Sequence, residues 1–180
     1  MADNKEPAEL LCARLQTARL PRWEELPDLD LYMDQVLALI KKYLSPYPGF
    51  DETGLTASMV NNYVKAGILP PPVKKRYSRR HLSGLLMICL IKSSLSIADI
   101  RRLMGILPDV EESVLYNRFC ELAELSAREA FDALQKDQKE NSVPVIILRG
   151  ALRAHAEQAV AQSFCSELPE GSDEGKSLRK

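Results

Sequence analysis

Four cysteines, Cys12, Cys89, Cys120 and Cys165, stand far apart, with no CxxC pair and no histidine beside them. That spacing excludes a zinc site and reads as reduced thiols of a cytoplasmic protein. Histidine occurs only at His81 and His155, and the 8 glycines never cluster into a phosphate-cradling loop. HExxH and GxSxG are missing as well, so the chain is expected to be no enzyme and to take no cofactor and no metal. Asp28, Asp30 and Asp34 lie close together, but helix capping and a polar helix face account for them. The apolar run from Leu82 to Ile91 is too short for a membrane, which needs about 20 apolar residues. The acidic start MetAlaAspAsnLysGluPro has no apolar run after a basic end, so no secretory signal is expected.

What the chain does have is charge in one place. Net charge is −1 over 180 residues, yet residues 51–105 hold nine lysines and arginines against three acids, or +6, and the remainder carries −7. A basic module set in an acidic protein is the footprint of a local patch that faces nucleic acid. Apolar residues at 46% and charged residues at 27% otherwise describe a globular protein with a real core.

The basic stretch falls into recognisable pieces. Thr56 is an N-cap and Gly67 a stop, so a short helix is expected between them. Met59, Val60, Tyr63 and Val64 form its inner stripe, and Ser58, Asn61, Asn62 and Lys65 its outer one, which carries no acid. Asparagine can pair at two points with adenine in the major groove, serine bonds bases or phosphates, and lysine neutralises phosphate. The bland alternative is a solvated polar face. Pro70, Pro71 and Pro72 then hold the chain extended before Lys74, Lys75 and Arg76. Ser78 caps the next helix, with Tyr77 and Leu82 at the spacing of a hydrophobic staple. Arg79 and Arg80 sit in its first turn, where the helix dipole disfavours positive charge, and an external phosphate would explain them. His81 is expected at phosphate or solvent. The apolar run makes this helix the centre of the core, and Ser96 with Asp99 caps one more helix, whose buried face is Ile97, Ile100, Leu103 and Met104.

A helix ending in TyrValLysAlaGlyIleLeuPro, then LysArgTyrSer, a buried helix and LeuSerIleAlaAspIleArgArgLeuMet resembles the MerR-type winged helix-turn-helix. That resemblance implies an all-α, MerR-like (winged) helix-turn-helix core with additional N- and C-terminal helices. It makes 57–66 the recognition helix in the major groove and the basic loop 73–80 the wing on phosphates. The residues expected on DNA are Ser58, Asn61, Asn62, Lys65, Lys74, Lys75, Arg76, Tyr77, Arg79 and Arg80. The wider pattern over roughly 20–140 includes LeuProArgTrpGluGluLeuProAspLeuAspLeuTyrMetAspGlnVal and SerMetValAsnAsnTyrValLys. It is similar to a bacterial family described only as domain of unknown function 1836.

Before and after this unit the pattern is helical. Residues 8–19 read as a short helix, and ProArgTrpGluGluLeuPro as a connector whose Trp23 packs on the core. A helix near 31–44 is capped by Asp28 or Asp30, and Tyr47 and Phe50 fold back on it. Beyond Pro108, Val110, Val114, Leu115, Phe119, Leu122 and Leu125 repeat at helical spacing, as two helices (109–125 and 127–138) or one with a kink. ValProValIleIleLeu opens a last, alanine-rich helix with proline in its first turn, suited to packing on a second copy; a short strand is the alternative reading of its start. The expected domains are 1–27, an N-terminal helix and connector; 28–107, the DNA-binding unit; 108–165, a dimerisation or sensing region; and 166–180, a disordered tail.

The expected function is thus a sequence-specific transcriptional regulator, a homodimer on double-stranded DNA with an unidentified small-molecule effector and no membrane partner. The alternative is a helical protein-interaction module, whose basic face meets an acidic partner, or a small-molecule sensor, neither binding DNA.

Overall fold

The structure, a computed structural model, describes residues 8–47, 54–106 and 111–169. Among these it is all-α: α1 (Ala8–Thr17), α2 (Met33–Leu44), α3 (Ala57–Lys65), α4 (Arg79–Ile91), α5 (Ile97–Gly105), α6 (Glu112–Glu140) and α7 (Val143–Glu167), with one 3-10 turn at Trp23–Glu25. Phe50, Val110 and the tail beyond 169 lie outside the described residues.

The apolar run becomes α4, and α4 is the centre. Leu82, Leu85, Leu86 and Ile88 have no exposed surface, and burying each contributes roughly 1.5–3 kcal/mol. Around α4 pack α2, through Val36, Ile40 and Leu44, and α6, through Tyr116 and Cys120; Ile100 of α5 joins the same core. A Cβ at Gly84 would stand 2.8 Å from Leu69 Cδ2, so glycine lets the chain after α3 lie directly on α4.

The local signals act where their chemistry places them. Thr56 Oγ1 accepts from the Met59 N–H at 3.2 Å and opens α3. Gly67, at φ +70°, closes it: Ile68 N–H donates to Tyr63 O at 3.0 Å and Gly67 N–H to Val64 O at 3.1 Å, a Schellman pair. Ser96 Oγ accepts from the Asp99 N–H at 3.1 Å and opens α5, although Ile97, expected inside, is 48% exposed. The cap of α2 is not an aspartate. The helix starts at Met33 after Tyr32, whose N–H donates to Gln35 Oε1 at 2.9 Å.

The winged helix-turn-helix does not form. Among the described residues there is no β-strand, only two isolated pairings, Leu31 with Tyr77 and Val73 with Arg76. Proline at 70, 71 and 72 removes three consecutive N–H donors, so the approach to the basic loop cannot join a ladder. Residues 45–56 separate α2 from α3, where a helix-turn-helix has a turn of about 3–4 residues. The MerR-like, winged and recognition-helix expectations are therefore withdrawn, and the all-α class stands.

The segment after residue 111 is one unbroken helix, α6. Its buried face is Tyr116, Cys120, Glu124 and Ala127, while Val114, Leu122 and Leu125 from the expected apolar repeat are about half exposed. The connector explains the exchange. Arg22 Nη2 meets Glu124 Oε2 at 2.8 Å, the Trp23 N–H donates to Asn117 Oδ1 at 2.8 Å, and the Cys120 thiol donates to Pro21 O at 3.6 Å. The Trp23 ring stands edge-on to Tyr116 with centroids 6.3 Å apart. A polar seam thus docks the N-terminal connector on α6, and α1 lies along the same helix.

Candidate functional site

The basic region is built on a short anchored turn. Arg76 N–H donates to Val73 O at 2.8 Å, and Lys74 and Lys75 between them have φ +50° and +62°. Two left-handed residues in succession are the signature of a type I′ turn, which prefers Asn-Gly or Gly-Gly. Each lysine there costs about 1–2 kcal/mol of backbone strain. The base below is firm: Leu31 and Tyr77 exchange both backbone hydrogen bonds at 2.9 Å. The Arg76 guanidinium lies 3.6 Å over the Tyr32 ring and donates to Asp30 O at 3.4 Å.

Tyr77, expected on the outer surface, is buried at 4%, with its ring edge-on to His81 at 5.4 Å. His81 is buried too, not at solvent or phosphate, and the Ser78 N–H donates to its Nδ1 at 3.0 Å. Burial depresses the imidazole's proton affinity below the ordinary histidine value, against the carbonyls of Pro70 and Pro71, which raise it. Tyr77 and His81 therefore support the turn from inside.

The two arginines at the start of α4 find their counter-charges within the chain. Arg79 Nη2 lies 3.5 Å from Asp28 Oδ1, with its guanidinium 5.6 Å from the Trp23 ring centre. Arg80 Nε meets Glu112 Oε1 at 2.7 Å. No external phosphate is needed to explain them; sequence reasoning missed Glu112 and expected Asp28 only as a helix cap. Neither could be found by spacing, since each pairing crosses from one element to another.

What remains outward is Ser58, Asn61, Asn62 and Lys65 on α3 and Lys74 and Lys75 on the turn, all exposed. Among the described residues none of these lysines pairs with an acid. The guanidine of Arg101 on α5 comes within 4.0 Å of where a Gly67 Cβ would stand, which adds a cation beside the end of α3.

Behind this face, a cleft of about 400 Å³ opens between α4, α6 and the chain after α3. Leu69, Met87, Met104, Leu115 and Tyr116 line it, and Arg80 and Glu112 stand at its rim. Among the described residues no helix is long and apolar enough to cross a membrane, and no group of three His, Cys, Asp or Glu side chains could hold a metal ion.

Among the described residues strands are missing, Arg79 and Arg80 meet internal acids and Tyr77 is buried, so the winged DNA-binding unit expected from the sequence does not form. No curated protein and no solved structure matches the chain. The family model described as Domain of unknown function (DUF1836) matches residues 21–119, more than half of the chain, and the protein belongs to that family.

Proposed function

We propose that this protein is a helical protein-interaction module, not an enzyme, and that it presents the outer face of α3 and the lysine turn to an acidic protein partner. The observation that carries this reading is the turn. Lys74 and Lys75 hold left-handed backbone on a base fixed by Leu31, Tyr32, Tyr77 and His81. Glycine would relieve that strain, and no acid among the described residues rewards the lysines for staying. A carboxylate from outside would. Ser58, Asn61 and Asn62 supply neutral hydrogen-bonding groups that fix register on such a partner, while the lysines speed its approach.

The test is selection from a displayed library of random peptides by the full chain. Peptides rich in Asp and Glu should be enriched, and Lys74→Glu with Lys75→Glu should abolish the enrichment. Retained peptides of average composition would overturn the reading, as would random duplex DNA bound as tightly as the best peptide.

The cleft supports a second role, sensing of a small apolar effector. Its size and mainly apolar lining suit a fragment-sized ligand. A fragment that raises the melting temperature of the wild type but not of Met87→Trp, which fills the cleft, is the expected result.

A further inference from the structure

The cleft behind the lysine face has a direction. Arg80, Ser83, Gly84 and Met87 stand at i, i+3, i+4 and i+7 on α4, so they form one stripe along its wall. Glu112, Leu115 and Tyr116 form the matching stripe on α6, at i, i+3 and i+4. Both stripes begin at the same place, because Arg80 Nε meets Glu112 Oε1 at 2.7 Å. From there the α4 stripe runs about 10 Å to Met87, at the helical rise of about 1.5 Å per residue. One end of the cleft is therefore charged, and the walls beyond it are mainly apolar.

The two ends differ in burial as well. The side chains of Arg80 and Glu112 are 58% and 44% exposed, whereas Leu69, Met87 and Tyr116 are buried. An exposed ion pair contributes at most about 1 kcal/mol, so a guest can part it at small cost. Apolar wall, by contrast, rewards any side chain that covers it. Met87 and Met104, being unbranched, can fit themselves to the shape of that side chain.

The pair also selects the head group. A guest carrying only a carboxylate would reach Arg80 and leave Glu112 facing a second anion. A guest carrying only an ammonium would leave Arg80 facing a second cation. A wholly apolar guest would gain nothing from either. A guest with both charges on adjacent carbons answers each partner, with charge-assisted hydrogen bonds at both. Its carboxylate also lies at the positive start of α4, where Arg80 is in the first turn. A free α-amino acid has that head, and a cleft of about 400 Å³ has room for it with one large side chain.

We infer that the cleft binds a free α-amino acid with a large apolar side chain, such as leucine, methionine or phenylalanine. The carboxylate takes Arg80, the ammonium takes Glu112, and the side chain runs in toward Met87 and Met104. This assignment rests on the effector-sensing reading of the cleft and gives that effector a chemical class. It is independent of the acidic-partner reading.

Isothermal titration calorimetry of the full chain tests it, with leucine, methionine and phenylalanine as probes. Leucine is set against its two singly charged analogues, 4-methylpentanoate and 3-methylbutylamine. At least one of the three amino acids should bind, and leucine should bind at least about tenfold more tightly than either analogue. Glu112→Gln should weaken leucine by a similar factor yet tighten 4-methylpentanoate, since the anion that repels it is gone. Arg80→Gln should weaken leucine and tighten 3-methylbutylamine. A purely structural role for the pair would not produce that crossover. Met87→Trp, which fills the cleft, should abolish binding of every probe. Analogues that bind as tightly as leucine overturn the inference and leave the effector reading in place, as do variants that shift all ligands alike. Amino-acid binding that survives Met87→Trp puts the site elsewhere and also overturns it. If no amino acid binds while an uncharged apolar fragment does, only the inference falls; if nothing binds, the effector reading falls with it.

Discussion

Lys74→Gly and Lys75→Gly separate the strain of the turn from its use. Left-handed lysine is costly and left-handed glycine is not, so each change should stabilise the fold by about 0.5–1 kcal/mol in urea unfolding. Binding of acidic peptides should fall at the same time, because an ammonium is lost. Stability and binding moving together would mean that the lysines hold the turn rather than serve a partner. His81 predicts a pH effect of definite sign. Burial lowers its folded pKa below that of the unfolded chain, so the unfolded state takes the proton first. Its contribution is full above the unfolded value, about pH 6.5, and is lost as pH falls through the folded one. Urea unfolding at pH 7.5 and pH 5 should show a smaller loss for His81→Gln, which keeps an acceptor for the Ser78 N–H, than for the wild type. Equal losses would remove His81 as the cause.

At the scale of elements, the two ends of α3 are held by caps of different kinds. Gly67 closes α3 with φ +70°, so Gly67→Ala should cost about 1–2 kcal/mol. Thr56→Ala at the other end should cost about 1 kcal/mol by removing the acceptor for the Met59 N–H. Both are read by thermal melting, and a neutral Gly67→Ala would show that α3 ends without its cap. These limits of α3 were legible in the sequence because capping is settled within five or six residues. The same holds for Ser96 and for the apolar run that became α4. The buried face of α6 was not legible. Spacing pointed to Val114, Leu122 and Leu125, but the face that docks carries Cys120 and Glu124, whose partners Pro21 and Arg22 lie about a hundred residues earlier. The candidate site failed in the same way. Arg79 and Arg80 looked unexplained because Asp28 and Glu112 come from the segment before α2 and from α6, and no local rule brings them together. Tyr77 was half legible: its staple spacing was plain, its place inside the turn was not.

For the whole molecule, the core runs past the region the family model covers. Cys120, Glu124 and Ala127 are buried beyond residue 119, and α1, before residue 21, lies along α6. A fragment of residues 21–119 should therefore melt without a cooperative transition, whereas residues 1–140 should melt as one unit, since α7 buries only Cys165. Calorimetry of the two fragments checks this, and a sharp transition from 21–119 would confine the folding unit to the family region. The seam between Arg22 and Glu124 also sets a timetable. On a ribosome, its first half emerges 102 residues before its second, an interval of roughly 5–20 s at ordinary rates of elongation. Until α6 emerges, the surfaces of the connector and of α4 on which it packs have no cover, so the nascent chain must either be shielded or wait unfolded for α6 to be made.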